Sequence, residues 1–273
     1  DDRIANFEPT INTFSFVSPY WNPFTAIRWL AGRAIPAAKG SGKAATAGYA
    51  FFETRSGYNF VSYDYFAKQV PVTRMVVGHE KSELEDDDDK GITAVDKVTI
   101  ESSVDLFKGL NYGSYSSNVM TLDLANMKFE QHPFSINKYY KDVSVMNSRK
   151  TPEFYKGFDT QATYTRIMTK ISDSALFTEG EYTQGFTKQL SQSSLREKLF
   201  YNKKVTVELV SDYQLEIGEV VQLDIYKGSS DRKQDFTNSG KYVIGKVERT
   251  FKTSEDKMST RLTLYTDSDG AES

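Results

Sequence analysis

The clearest element in the hydrophobic pattern is a helix near the start of the chain. Asn22 is a favourable N-cap, Pro23 suits the first helical position, and Pro36 stops the run. Between these limits, apolar residues recur at helical spacing: Phe24, Ile27, Leu30, Ala31, Ala34 and Ile35. The pattern therefore predicts one prominent helix from Pro23 to about Ile35.

Short segments of alternating polarity dominate the rest of the sequence. Residues 49–54 and 58–63 are rich in β-branched and aromatic side chains, and the turn residues between them predict a hairpin. Further strands are predicted at 70–77, 118–124, 127–129, 162–169, 205–209, 220–226, 241–247 and 260–265. The last four indicate an antiparallel sheet or small barrel.

The order of these elements predicts three successive parts and an α+β, β-dominated fold class. Residues 1–80 form a helix plus β-hairpin module. Residues 81–160 contain a linker, a short helix at 102–111 and a β-hairpin that returns to a barrel. Residues 161–273 contain a second helical pattern at 182–200 and a C-terminal antiparallel β-barrel. Domains built in this way can be discontinuous in sequence.

The composition favours a protein with large contact surfaces over an enzyme or a metal-binding protein. Only 38% of the 273 residues are apolar, yet 17 are Tyr and 18 are Phe, and such aromatics cover area at protein interfaces. The net charge of −3 gives no basic footprint for nucleic acid or anionic lipid. The absence of Cys excludes disulfides, thiolate metal sites and cysteine nucleophiles. No apolar run approaches the length of a transmembrane helix, so no membrane insertion is expected.

Two motifs resemble catalytic or nucleotide-binding signatures but are incomplete. The run Gly40-Ser41-Gly42-Lys43 lacks both the leading Gly and the Ser or Thr of a phosphate loop, so a flexible loop is favoured over nucleotide binding. His79 and His132 are the two histidines, and we interpret them as surface or strand-end residues. A Ser–His–Asp triad would have to use one of them. We therefore expect no enzymatic activity.

Two acidic segments are the remaining candidates for ligand binding. Asp267-Ser268-Asp269-Gly270 resembles the start of a calcium loop, but the chain ends before a twelfth-position Glu. The run 86–89 consists of four consecutive Asp, which repel one another. We interpret both as exposed ends, and we expect no catalytic, cofactor-binding or metal site. An undetected pair of carboxylates, as glycosidases use, stays open.

An aromatic cluster around the first helix is the best candidate for a binding surface. Its members are Phe14, Phe16, Tyr20, Trp21, Phe24 and Trp29. Packing of the helix on its neighbours, at a subunit contact, is favoured over a sugar- or peptide-binding platform. Tyr20, Trp21, Phe24 and Trp29 are accordingly the interface candidates.

Three blocks of sequence, in this order, resemble baseplate hub proteins of contractile-tailed, T-even-like phages. The first is NPFTAIRWLA at 22–31 with FETRSGYNFVS at 52–62, and the second is GSYSSNVMTLDL at 113–124. The third is LEIGEVVQLDI at 215–225, followed by SGKYVIGKV at 239–247 and STRLTL at 259–264. This last block is similar to the closing barrel of hub and spike-base proteins in contractile injection systems.

The resemblance implies a structural virion protein of the tail baseplate without cofactor. Such hubs are homotrimers in which each subunit carries two antiparallel tube-type β-barrels, and they join the hexameric tail tube to the trimeric spike. The implied partners are the tail tube protein, the central spike and other baseplate proteins. DNA passes through the delivery channel without specific binding. Members of the family carry a further barrel segment before the helix, so we expect this chain to be a C-terminal product or its first barrel to be incomplete.

Two other classes of function compete with this interpretation. A tail-associated carbohydrate-binding protein or cell-wall hydrolase would use the aromatic cluster or a carboxylate pair. A nucleotide-dependent enzyme would need the phosphate loop that the sequence lacks. A trimeric mass would favour the hub, whereas peptidoglycan cleavage lost on a Glu→Gln change would favour the hydrolase.

Overall fold

The computed structural model describes part of the chain, and all structural statements below refer to that part. The described residues are 3–11, 16–37, 48–78, 92–102, 116–124, 126–135, 144–150, 166–171, 193, 195–201, 203–210, 214–226, 233–253 and 257–270. Strands dominate and helices are few, which confirms the α+β, β-dominated class.

Two compact units, each discontinuous in sequence, make up the molecule. The first comprises Asp1–Asp64, Asp105–Ser144 and Pro152–Lys198. The second comprises Tyr65–Val104, Val145–Thr151 and Leu199–Ser273. The chain therefore passes from one unit to the other several times, and a short helix, α2 (Tyr63–Lys68), carries one of these passages.

The first unit contains a three-stranded sheet and the main helix. Strands β2 (Tyr49–Thr54) and β3 (Gly57–Ser62) form the predicted antiparallel hairpin, and β1 (Ile4–Phe7) adds to β3 in parallel. Gly57 has φ +134°, and the carbonyl of Arg3 lies where a Cβ would project, so only glycine fits this turn. Helix α1 (Pro23–Ala31) packs near β2.

Helix α1 begins where the sequence predicts but ends earlier. The Asn22 side chain accepts a hydrogen bond from the Thr25 amide at 2.8 Å, which is the expected N-cap. The helix ends at Ala31, with Gly32 as C-cap, so the prediction that it continues to Ile35 is wrong. Ala34 and Ile35 are still buried, but their carbonyls accept bonds from the amides of Gly48 and Ile11. These long-range bonds replace the last helical turn.

A second three-stranded sheet also belongs to the first unit. Strands β7 (Ser116–Asp123) and β8 (Lys128–Ser135) form an antiparallel hairpin, as predicted. Strand β10 (Arg166–Ile171) lies on the other side of β7 and runs parallel to it, whereas the sequence predicted antiparallel sheets. Residues 195–200 are helical and form the described end of the helix predicted at 182–200.

The second unit is built on a seven-stranded sheet. Its centre is the four predicted C-terminal strands, and additions from residues 74–102 extend it on both sides. In order across the sheet, the strands are β5 (Ile92–Ala94), β4 (Arg74–Val77), β12 (Val220–Ile225), β13 (Gly240–Lys252), β14 (Lys257–Thr266), β11 (Lys203–Val210) and β6 (Lys97–Ser102). The pairs β4·β12 and β4·β5 are parallel, and the other pairs are antiparallel.

This sheet curls so that its two edges approach each other. The edge strands β5 and β6 are separated by only Val95 and Asp96, which limits the distance between their ends to about 11 Å. The Val95 amide donates to the Val76 carbonyl on one edge, and the Asp96 amide donates to the Glu208 carbonyl on the other. The described ladders form no closed barrel. Buried apolar side chains from these strands nonetheless form one core, which includes Met75, Val207, Leu223, Ile244 and Leu264.

The segment 267–270 is not an exposed end, contrary to the prediction. Asp267 is only 1% exposed, and its Oδ1 accepts bonds from the Met146 amide at 3.0 Å and the Ser268 hydroxyl at 2.8 Å. Strand β15 (Ser268–Asp269) pairs antiparallel with β9 (Arg149–Lys150). Donors about 120 residues away therefore bury a segment that looks solvated in sequence.

Several predictions fall outside the described residues. They concern the Gly40–Lys43 run, His79, the acidic run 86–89 and the helix at 102–111, of which only Ser102 is described, at the end of β6. Among the helices that the structure describes, none is long and apolar enough to cross a membrane.

Candidate interaction surface

An aromatic surface surrounds the start of α1, and exposed Arg28 lies one helical turn after Phe24. Val17, Tyr20 and Phe24 are exposed, Phe24 to 58%, and Trp21 is partly exposed. In the sequence, Glu8 is the single charged residue between positions 4 and 27, and its carboxylate accepts the Ser62 amide at 2.7 Å. We call Val17, Tyr20, Trp21 and Phe24 the α1 surface. Exposed aromatic side chains of this kind are typical of the buried centre of a protein interface.

Trp29 packs against Trp21 of this surface and against Phe16. Its ring centroid lies 5.7 Å from that of Trp21 and 5.0 Å from that of Phe16. The Arg33 guanidinium carbon lies 3.8 Å from the Trp29 ring centroid, and Nη1 donates to the Trp29 carbonyl at 3.0 Å. Burial lowers the pKa of Arg33 to about 10, so the cation–π contact persists at neutral pH.

Phe24 rests on the three-stranded sheet rather than on the tryptophans. Its ring centroid lies 5.9 Å from that of Phe51, which in turn stacks on Tyr58 at 5.7 Å. One side of the Phe24 ring is therefore packed, and the remainder faces solvent. An aromatic ring held in this way loses little conformational entropy on binding a partner.

Tyr20 projects fully into solvent from a strained backbone. Its φ is +50°, a left-handed conformation that costs a non-glycine residue about 1–2 kcal/mol. Its amide donates to the Ser18 carbonyl at 3.1 Å, and no described ring contacts its side chain. Strain maintained at an exposed aromatic residue is typical of a functional position.

The structure therefore brings the interface candidates together only in part. Trp21 and Trp29 are in contact, Phe24 lies on the same helix with a different neighbour, and Tyr20 stands apart. Trp29 is largely covered, so it positions Trp21 rather than meeting a partner. Phe14 lies outside the described residues. The Trp21 and Trp29 rings are inclined by 49°, which does not make a flat stacking platform for a sugar.

A second apolar surface, on β7, β8 and β10, was not singled out from the sequence. Phe129 and Ile167 are 54% and 60% exposed, and Leu124 and Met127 at the hairpin turn are exposed as well. The alternation of residues 118–124 indicates two faces, but it does not indicate which face is buried. His132 is buried within β8, with Nε2 3.4 Å from the Thr121 hydroxyl and Glu130, so the surface or strand-end interpretation of this histidine is wrong.

The buried polar cluster of the second unit is structural. Lys203 Nζ donates to the Thr237 carbonyl at 2.5 Å and to Asp269 Oδ1 at 2.9 Å. Asn147 bonds to Lys241, Thr266 and Ser268. Each of these polar groups has a partner, and the bonds of Asn147 fix this residue to the sheet. Among the described residues, no group of three His, Asp or Glu could hold a metal ion.

The fold is similar to that of a solved tail protein. The crystal structure of the tail protein from Neisseria meningitidis MC58 matches with a TM-score of 0.51 at 8% sequence identity. The match covers 97% of this chain and 61% of that chain, so this chain spans about three-fifths of the length of that protein. No family model matches the sequence, and no curated protein does. At this identity the likeness concerns the fold.

Proposed function

We propose that this chain is a structural tail protein that acts as a central baseplate hub. As a homotrimer it joins a hexameric tail tube to a trimeric spike, contributes to the delivery channel in the virion baseplate, and catalyses no reaction. The observation that carries the proposal is the fold match to the Neisseria tail protein, because it extends over 97% of this chain and therefore includes both units. The three sequence blocks that resemble hub proteins span residues 22–264.

The surface chemistry supports an assembly role. The α1 surface and the second apolar surface each expose several large apolar side chains, and clustered exposed apolar residues are typical of protein interaction sites. A net charge of −3 also suits a channel protein, because a near-neutral wall lets a polyanion pass without retaining it.

Particle composition tests this proposal. Tails purified from cells that express an epitope-labelled chain are analysed by quantitative mass spectrometry and by gold labelling in electron microscopy. We expect three copies per tail, located where the tube meets the spike. Absence from complete particles, or a label distributed along the tube, would contradict the hub.

A carbohydrate-binding tail protein is the second candidate, and the exposed aromatic side chains of the α1 surface favour it. Titration with peptidoglycan fragments, read by tryptophan fluorescence of Trp21 and Trp29, separates the two. A saturable change lost in Trp21→Ala would support carbohydrate binding. The hub predicts no change with any fragment and no release of soluble fragments.

A further inference from the structure

The methionines of this chain differ sharply in exposure. The sequence contains six, and the structure describes the side chains of five of them. Met75 and Met146 are buried, at 0% and 5% exposure, whereas Met127 is 82% exposed. Met120 and Met258 are intermediate. Because an oxidant in solution reaches a thioether through its exposed surface, Met127 is the most reactive of these five methionines.

Met127 lies in the tight turn between β7 and β8. It directly precedes β8, and its φ of +50° is a left-handed backbone conformation. The Asp123 carboxylate accepts the Asn126 amide at 3.3 Å and Asn126 Nδ2 at 3.0 Å, and these bonds hold the turn. Neither bond involves the Met127 side chain, so a chemical change at its sulfur leaves the hairpin intact.

The Met127 side chain belongs to the second apolar surface. Leu124 and Phe129, within three residues of Met127 in the chain, are 53% and 54% exposed, and Ile167 of β10 is 60% exposed. The thioether is therefore part of an apolar surface that is open to solvent. Oxidation converts this flexible apolar side chain into a polar sulfoxide, so a single oxygen atom makes the surface more polar.

We propose that Met127 is a site of reversible oxidation that controls the polarity of the second apolar surface. The oxidant is a hydroperoxide: the peroxide O–O bond breaks, one oxygen forms an S=O bond to Sδ, and hydrogen peroxide leaves as water. The sulfur loses two electrons, the peroxide gains them, and no bond of the protein breaks. A methionine sulfoxide reductase reverses the step, because a sulfoxide at an exposed turn is accessible to the enzyme. This oxidation is independent of the proposed hub role, because the isolated chain carries the site.

Treatment of the folded full chain with dilute hydrogen peroxide tests the site. Peptide mapping by mass spectrometry at a series of times gives, for each methionine, the rate at which its peptide gains about 16 Da. We expect Met127 to oxidise at least about tenfold faster than Met75 and Met146, and also faster than Met120 and Met258. The same treatment in concentrated urea is the control, because unfolding exposes every methionine and should bring the rates together.

Retention on a hydrophobic-interaction column measures the change in surface polarity. We expect the oxidised wild-type chain to elute earlier, and its retention to return after treatment with methionine sulfoxide reductases for both sulfoxide epimers. Met127→Leu keeps an apolar side chain of similar volume and should keep its retention under peroxide, whereas the matched control Met258→Leu should respond as wild type does. A Met127 that oxidises no faster than Met120 or Met258 in the folded chain would overturn the proposal. An equal loss of retention in Met127→Leu would overturn it as well.

Discussion

Replacing Asn147 by Ala should destabilise the second unit far more than an ordinary surface change. Its Nδ2 lies 3.1 Å from the Lys241 carbonyl, 3.0 Å from the Thr266 hydroxyl and 3.1 Å from the Ser268 carbonyl. Its Oδ1 accepts the Lys241 amide at 2.7 Å. Because Nδ2 has two hydrogens for three acceptors, the side chain amounts to about three full hydrogen bonds. At about 1 kcal/mol each, the free energy of unfolding should fall by about 3 kcal/mol.

The measurement is denaturant unfolding together with hydrogen exchange. A loss of about 3 kcal/mol corresponds to a fall in Tm of roughly 10–15 °C for a unit of this size. The Lys241 amide, which loses its acceptor, should exchange faster than the amides of neighbouring β13 residues. Asn22→Ala is the control, because it removes one exposed hydrogen bond of 2.8 Å and should cost about 1 kcal/mol in the first unit. A loss for Asn147→Ala no larger than that of the control, with unchanged exchange at Lys241, would refute the reasoning.

Three further changes test other parts of the second unit. In Gly245→Ala the new Cβ would overlap the Tyr265 ring, so stability should fall by about 1–3 kcal/mol. Gly32→Ala is the control: its Cβ would make only ordinary contacts, 3.8 Å from the Arg28 and Trp29 carbonyl oxygens, so it should be close to neutral in thermal melts. Burial, aided by the charges of Asp269 and Asp235, raises the pKa of Tyr242 above its ordinary 10.0, so the folded state keeps a proton that the unfolded state loses. The free energy of unfolding should therefore fall as pH rises above about 10, and it should fall less steeply in Tyr242→Phe. Equal slopes for the two proteins in urea unfolding at a series of pH values would contradict this. Val221→Pro removes a strand amide from the fully buried centre of β12, so the free energy of unfolding should fall by about 3 kcal/mol or more. Measured in the same unfolding assay, this loss should clearly exceed that of Val221→Ala, which keeps the amide.

The sequence by itself determined the elements whose signals are local. Asn22 and Pro23 set the start of α1, since an N-cap acts within three residues. The turn at Gly57 set the hairpin of β2 and β3, because its φ of +134° favours glycine. Alternating side chains likewise marked the strands of the C-terminal sheet. The interface candidates stay a prediction, which rests on the local cluster of aromatic residues at 14–29.

Tertiary structure alone decided what depends on distant partners. The alternation of residues 118–124 fixed two faces of β7, but only packing determined that Val119 and Thr121 are buried more deeply than Met120 and Leu122 on the other face. Asp267 looks solvated in sequence, yet the Met146 amide satisfies its carboxylate from 121 positions away. The parallel pairing of β7 with β10 also joins segments far apart in the chain. Periodicity reports which residues share a face, whereas burial and pairing are set by what the rest of the chain places against that face.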